Sequence, residues 1–150
     1  MEGDIKRMII HAHIMAWNEA RILPFTLDYY SQFCDKIFIY DNMSTDNSFD
    51  IYKKYDVTVK RWESSSKLYN DVSLAQVKST CYKRSLNDNA DWVVVCDCDE
   101  YLYHEDLIDK LSEYKKMNIT MPLIDGHDMC SETFPKYDGQ LLTEKVKIGS

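Results

Sequence analysis

Trp92-Val93-Val94-Val95-Cys96-Asp97-Cys98-Asp99-Glu100 reads as a short apolar strand that empties into an acidic turn. A continuous apolar run of this kind suits a strand buried on both faces, as in the middle of a parallel sheet. Working outward, strand-like and helix-like segments alternate. Residues 71–86 read as a long helix, with Leu74, Val77 and Cys81 along one side. Before it lie a strand at 57–61, a helix at 47–55 and the apolar strand 35–40 (DKIFIY). A helix at 21–31 carries Ile22, Phe25 and Tyr29 on one face and tolerates Pro24 in its first turn. The chain opens on a β-rich stretch at 6–15, and after the acidic turn come a helix at 105–115 and a strand at 119–123.

Strand–helix alternation with short links predicts an α/β fold: a mostly parallel central sheet with helices on both faces, since parallel neighbours need crossovers. Ligands of such sheets bind outside the carboxyl ends of the strands, where strand order reverses. Three polar clusters fall at those ends: Asn18-Glu19, Asp41 to Asp46, and Asp97 to Glu100.

Composition limits the chemistry. The 150 residues are 45% apolar, enough for one domain with a core, and 18 basic against 25 acidic residues give a net charge of −7. Nucleic acid and membrane surfaces are poor partners for that balance. There are four glycines, and between Asp4 and Asp125 there is none. Neither a P-loop nor a glycine-rich dinucleotide turn can be built, because both need glycine for close backbone approach to phosphate. The odd count of five cysteines favours buried free thiols over disulfides. The apolar stretch at residues 8–17 follows Glu2 and Asp4, contains His11 and His13, and is too short to span a bilayer. With neither signal peptide nor anchor read there, a soluble cytoplasmic protein is expected, and the tripeptides starting at Asn42 and Asn118 are taken as chance glycosylation matches.

Asp97, Asp99 and Glu100 crowd like charges at a strand mouth. Two physical situations tolerate this. One is a solvated loop leading toward the helix at Glu105-Asp106, whose N-terminus favours acids. The other is a divalent cation, since Mg2+ and Mn2+ take carboxylate oxygens together with water and substrate phosphates. Two aspartates one residue apart, directly after an apolar run, favour the cation.

The segment around Asp97-Cys98-Asp99 resembles the DxD motif of nucleotide-sugar glycosyltransferases with the GT-A fold. Asp41-Asn42-Met43-Ser44-Thr45-Asp46 is similar to the DDxSTD turn of glycosyltransferase family 2, and Ala16-Trp17-Asn18-Glu19 to its first-strand turn. The three occur in order, and the likeness covers about residues 5–105. It implies a Rossmann-like donor-binding half and a metal-dependent transfer of sugar from a UDP-sugar to a glycan, protein or small-molecule acceptor. Ala16, Trp17, Asn18, Glu19 and Asp41 would face the uracil and ribose; Asn42 stands where the family often has a second aspartate. Asp97 would touch ribose or metal, Cys98 would line the donor site, and Asp99 would be the principal carboxylate on Mn2+ or Mg2+. Gln76 and Lys78 would reach the nucleotide or donor sugar from the preceding helix. Asp128 is the local candidate for a general base, beside Asp125 and Glu132, in a segment that equally reads as a glycine-containing turn. Residues 1–123 would form the donor-binding region and 124–150 the start of the acceptor region. A truncated or unusually short member is therefore expected, and an apolar stripe left over would promote self-association into a homo-oligomer.

Other readings stand beside this one. His11 and His13 share a strand face, as do Cys96 and Cys98, but the pairs lack the ligand loops of structural zinc sites. A haloacid-dehalogenase-like phosphatase also uses an aspartate pair after an apolar strand, followed by Thr or Val; here Tyr101 follows Glu100, and the motif lies late in the chain. A non-catalytic nucleotide-sugar-binding module is the third reading.

Overall fold

A computed structural model of the protein describes residues 7–64 and 71–148. Glu2, Gly3, Asp4 and Lys6 at the start, and Ser65 and Ser66 in the link before the long helix, lie outside the described residues. Four parallel strands, β1 (Ile10–Ala16), β2 (Lys36–Asp41), β3 (Val57–Arg61) and β4 (Trp92–Asp97), form one sheet in the order β3-β2-β1-β4. The chain steps outward from β1 through helix α1 (Leu23–Tyr30) to β2 and through α2 (Ser48–Tyr52) to β3. It then returns through α3 (Asp71–Cys81) and α4 (Lys83–Leu86) to place β4 on the far side of β1. Strand order therefore reverses between β1 and β4, and in such sheets the crevice outside the carboxyl ends at the reversal is where ligands bind. Register aligns those ends, with Ala16 beside Asp41 and Met15 beside Asp97.

Alternation along β1 sorts its side chains to two layers. Ala12, Ile14 and Ala16 join Ile37, Ile39, the α1 residues Leu23, Phe25, Leu27 and Tyr30, and Tyr52 of α2 in one apolar cluster. Met15, Phe38 and Tyr40 pack on the opposite face with Cys81, Leu74 and Val77 of α3. The side of α3 read from its spacing is the side it buries.

Several expectations are corrected. The helix expected over 71–86 breaks at Tyr82; the Ser79 and Thr80 hydroxyls donate back to Gln76 O at 2.9 Å, a local bond that competes with regular helix. The Trp92–Cys96 run is an edge strand rather than a central one, and its valines are half-buried. Residues 119–123 form no strand: Met121 and Leu123 are exposed, and Pro122 removes a ladder donor. The histidine and cysteine pairs lie on opposite faces, because Cys96 and Cys98 belong to the α1 cluster while His13 stacks on Phe38. All five cysteines are free, with Cys81, Cys96 and Cys98 buried.

Helix α5 (Leu107–Lys116) is tied down by buried Leu111 and by Lys115 Nζ, 2.5 Å from Asp91. The chain ends in β5 (Met129–Cys130), α6 (Leu142–Lys145) and β6 (Lys147–Ile148), with β5 and β6 antiparallel. Leu142 and Val146 enter the same cluster as α1, and Tyr137 meets Phe25 edge-on at 5.1 Å. Residues on both sides of the expected 123/124 boundary thus share one core. Among the described residues no helix is long and apolar enough to cross a membrane.

Candidate functional site at the strand ends

The turn after β1 is built without glycine. Asn18 takes a left-handed backbone with φ of 57°, a conformation asparagine tolerates better than most residues. Its amide donates to Ser44 Oγ at 2.9 Å, and its side-chain oxygen accepts from Thr45 N at 2.7 Å and Asp46 N at 3.3 Å. Asp46 in turn accepts from Ala20 N at 2.9 Å and from the Ser48 amide and hydroxyl at 3.0 and 2.5 Å. Burial works against the Asp46 charge, yet the Ser48 hydroxyl and these amides outweigh it and hold the carboxyl below its usual range. The turns after β1 and β2 are one hydrogen-bonded unit.

Asp41 is inside that unit rather than at its surface. It is fully buried; Oδ1 accepts from Ser44 N at 2.9 Å and lies 3.6 Å from Arg61 Nε, while Oδ2 accepts from the Tyr52 hydroxyl at 3.1 Å. Expected to face uracil and ribose, its carboxylate instead shapes the turn from beneath, because a buried charge must be paired and bonded. Asn42 Oδ1 accepts from Ser64 N at 3.3 Å and so ties the segment after β3 to the turn. Trp17 leaves the rim with its side chain half in solvent.

Across the crevice, Asp97 Oδ2 lies 2.7 Å from Lys78 Nζ, both side chains about one-third exposed (36% and 31%). The Asp97 amide donates to Glu100 Oε2 at 2.8 Å, which closes the acidic turn on itself. Cys98 points the other way: its thiol is buried beside Thr26, whose hydroxyl donates to Cys98 O at 2.5 Å. Only its backbone is available to line a donor site, and burial pushes its thiol up. Asp99 is exposed. Tyr30 backs the turn by donating to Glu100 O at 3.0 Å.

Glu19 joins the two sides. Burial and then the charges of Asp99, Asp46 and Asp97 raise its carboxyl above the usual range. Among the described residues no group of three His, Cys, Asp or Glu side chains is spaced to enclose a metal ion. At the β4 mouth Asp97 is paired with the Lys78 ammonium, and Asp99 next to it is exposed.

Gln76 is exposed on α3, two residues before Lys78. Asp125, Asp128 and Glu132 are exposed around β5, and the structure gives none of them a bond to the crevice. His11 and His13 are buried: His11 Nδ1 and His13 Nε2 lie 2.8 and 2.7 Å from Ser85 Oγ, and His13 Nδ1 lies 3.1 Å from the Tyr40 hydroxyl. They are core residues. Sequence reasoning missed Ser44, Tyr52, Arg61 and Thr26 as supports of the site; the Ser44-Thr45-Asp46 polar run was the one signal, and the rest come from distant helices and strands. No protein-family model matches the sequence, and a search of curated proteins finds no match.

Proposed function

We propose that the protein is a metal-dependent glycosyltransferase with a GT-A-like donor half, which moves a sugar from a UDP-sugar to a glycan, protein or small-molecule acceptor. The observation that carries the reading is geometric: at the reversal of strand order Asp97 ends β4 beside Met15 of β1, and Asp46 after β2 accepts the Ala20 amide next to Glu19. A chain unable to build a glycine cradle has another means of holding a diphosphate there: carboxylates that hold a cation. Five unbridged cysteines support a reducing compartment, the cytoplasm.

In this reading Asp97 and Asp99 would hold Mn2+ or Mg2+. When bound, the ion supplies Lewis-acid stabilisation of the negative charge on the departing diphosphate. The chain's own groups do the rest. Lys78 adds a positive charge at the same mouth, Trp17 offers an exposed ring for base stacking, and the Asn18–Thr45–Asp46 network keeps the first two turns in place. An acceptor hydroxyl needs a general base, and Asp128 is the proposed one.

Thermal shift provides the test. UDP with Mn2+ raises the melting temperature, UDP alone does much less, and Asp99→Ala removes the difference. With UDP-sugars and candidate acceptors, release of UDP confirms transfer. Stabilisation without release under any acceptor would instead indicate a binding module. Hydrolysis of a phosphomonoester through a phospho-aspartate at Asp97 would replace the reading with a phosphatase.

A further inference from the structure

The sheet face opposite α1 is not fully covered. Alternation along β3 sends Val57 and Val59 to the α1 cluster, while Lys60 stands in register beside Tyr40 on the other face. The side chains that meet this face from α3 are short: Val77, Thr80 and Cys81. They leave a cavity of about 220 Å3, which Trp62, Lys60 and Arg84 also line. Tyr40 and Cys81 are buried and Lys60 and Arg84 exposed, so the ring and thiol form the floor and the cations stand at the mouth. The polar atoms of floor and wall are already engaged. The Trp62 indole N–H donates to Tyr40 O at 3.4 Å, the Tyr40 hydroxyl lies 3.1 Å from His13 Nδ1, and the Thr80 hydroxyl donates to Gln76 O at 2.9 Å. What they offer a ligand is ring and methyl surface. The cations are the reverse. Among the described residues Lys60 and Arg84 make no ion pair, and no acid lines the cavity, although acids outnumber bases 25 to 18 in the chain. Arg84 lays its guanidinium over the Phe38 ring, 4.7 Å from the centroid, a contact that uses the flat face and leaves the N–H donors for another acceptor.

We propose that this cavity is a binding site for a small aromatic carboxylate, its ring against Tyr40, Trp62 and Val77 and its carboxylate on Lys60 and Arg84. An apolar slot with a few convergent charged groups is the usual make-up of a small-molecule site, and a guanidinium fork matches a carboxylate in shape as well as charge. Size selects the class of ligand. A cavity of roughly 150 Å3 accepts benzene, so about 220 Å3 takes one ring with its carboxylate and is too small for a nucleoside diphosphate. The site lies on the α3 face of the sheet and does not depend on the glycosyltransferase reading.

Calorimetric titration of the whole chain with benzoate, acetate and benzyl alcohol tests this. Benzoate is expected to saturate one site and to bind about tenfold tighter than acetate, which lacks the ring, or benzyl alcohol, which lacks the charge. Lys60→Gln and Arg84→Gln each weaken benzoate about tenfold, the span of one charged hydrogen bond, and leave benzyl alcohol unchanged. Arg84→Lys keeps the charge and most of the benzoate binding. Thr80→Phe, at an exposed wall position, fills the cavity with both cations in place and abolishes binding; circular dichroism checks that every variant folds. Benzoate binding no tighter than that of acetate and benzyl alcohol, or unchanged in both Gln variants, overturns the site. Displacement of benzoate by UDP with Mn2+ would make the cavity part of the crevice, which overturns a separate site and leaves the glycosyltransferase reading standing.

Discussion

The side-chain oxygen of Asn18 accepts the Thr45 amide at 2.7 Å, so the turn after β1 is held by the turn after β2. Asn18 also supplies the left-handed φ of 57° that reverses the chain before α1. Ala at this position loses the acceptor and strains the backbone; Gly loses the acceptor alone. Asn18→Ala is expected to cost about 2 kcal/mol in urea unfolding, and Asn18→Gly roughly half of that. Equal losses for the two would show that the hydrogen bonds, and not the backbone conformation, account for the whole effect.

Met43 is the second left-handed position in this unit, with φ of 55° and a side chain 43% exposed. Nothing about a methionine suits that conformation. Met43→Gly is expected to stabilise the protein by about 0.5–1 kcal/mol, the relief of αL strain less the entropy glycine adds to the unfolded chain. A fall in melting temperature would contradict this.

Acid should unfold the protein through its buried histidines. Burial, followed by the charges of His11 and Arg84, pushes His13 down to about 4; burial lowers His11 as well. An unfolded histidine titrates near 6.5. Between these values the unfolded chain holds a proton that the folded chain does not, so stability is complete above about pH 6.5 and is lost as pH falls toward 4. His13 alone accounts for about 3 kcal/mol over that window, and His11 adds to it in the same direction. In urea unfolding from pH 8 to pH 4, His13→Gln should show a flatter acid limb than the natural chain; an unchanged slope would refute the assignment.

Local pattern carried most of the architecture. The β-rich stretch at 6–15 and the Leu74–Val77–Cys81 spacing in α3 depend on neighbours within a few residues, and both were readable. The β4 mouth was readable for the same reason, since Asp97 and Asp99 follow an apolar run directly. The strand at 119–123 was misread because apolar β-rich composition states a preference and not a partner; without a neighbouring strand to bond, the preference has no effect.

The state of each site residue was another matter. Asp41 and Asp97 look alike in sequence, each an aspartate closing an apolar strand, yet one is fully buried on Tyr52 and Arg61 while the other is held by Lys78 at the rim. Lys78 and Asp97 are 19 positions apart, and only the crossover of α3 and α4 brings them together. By itself the order of residues determined an α/β chain with acids at its strand ends and no glycine cradle. Tertiary structure alone decided which acids are structural and which face the crevice, because burial and charge pairing depend on contacts that no local period encodes.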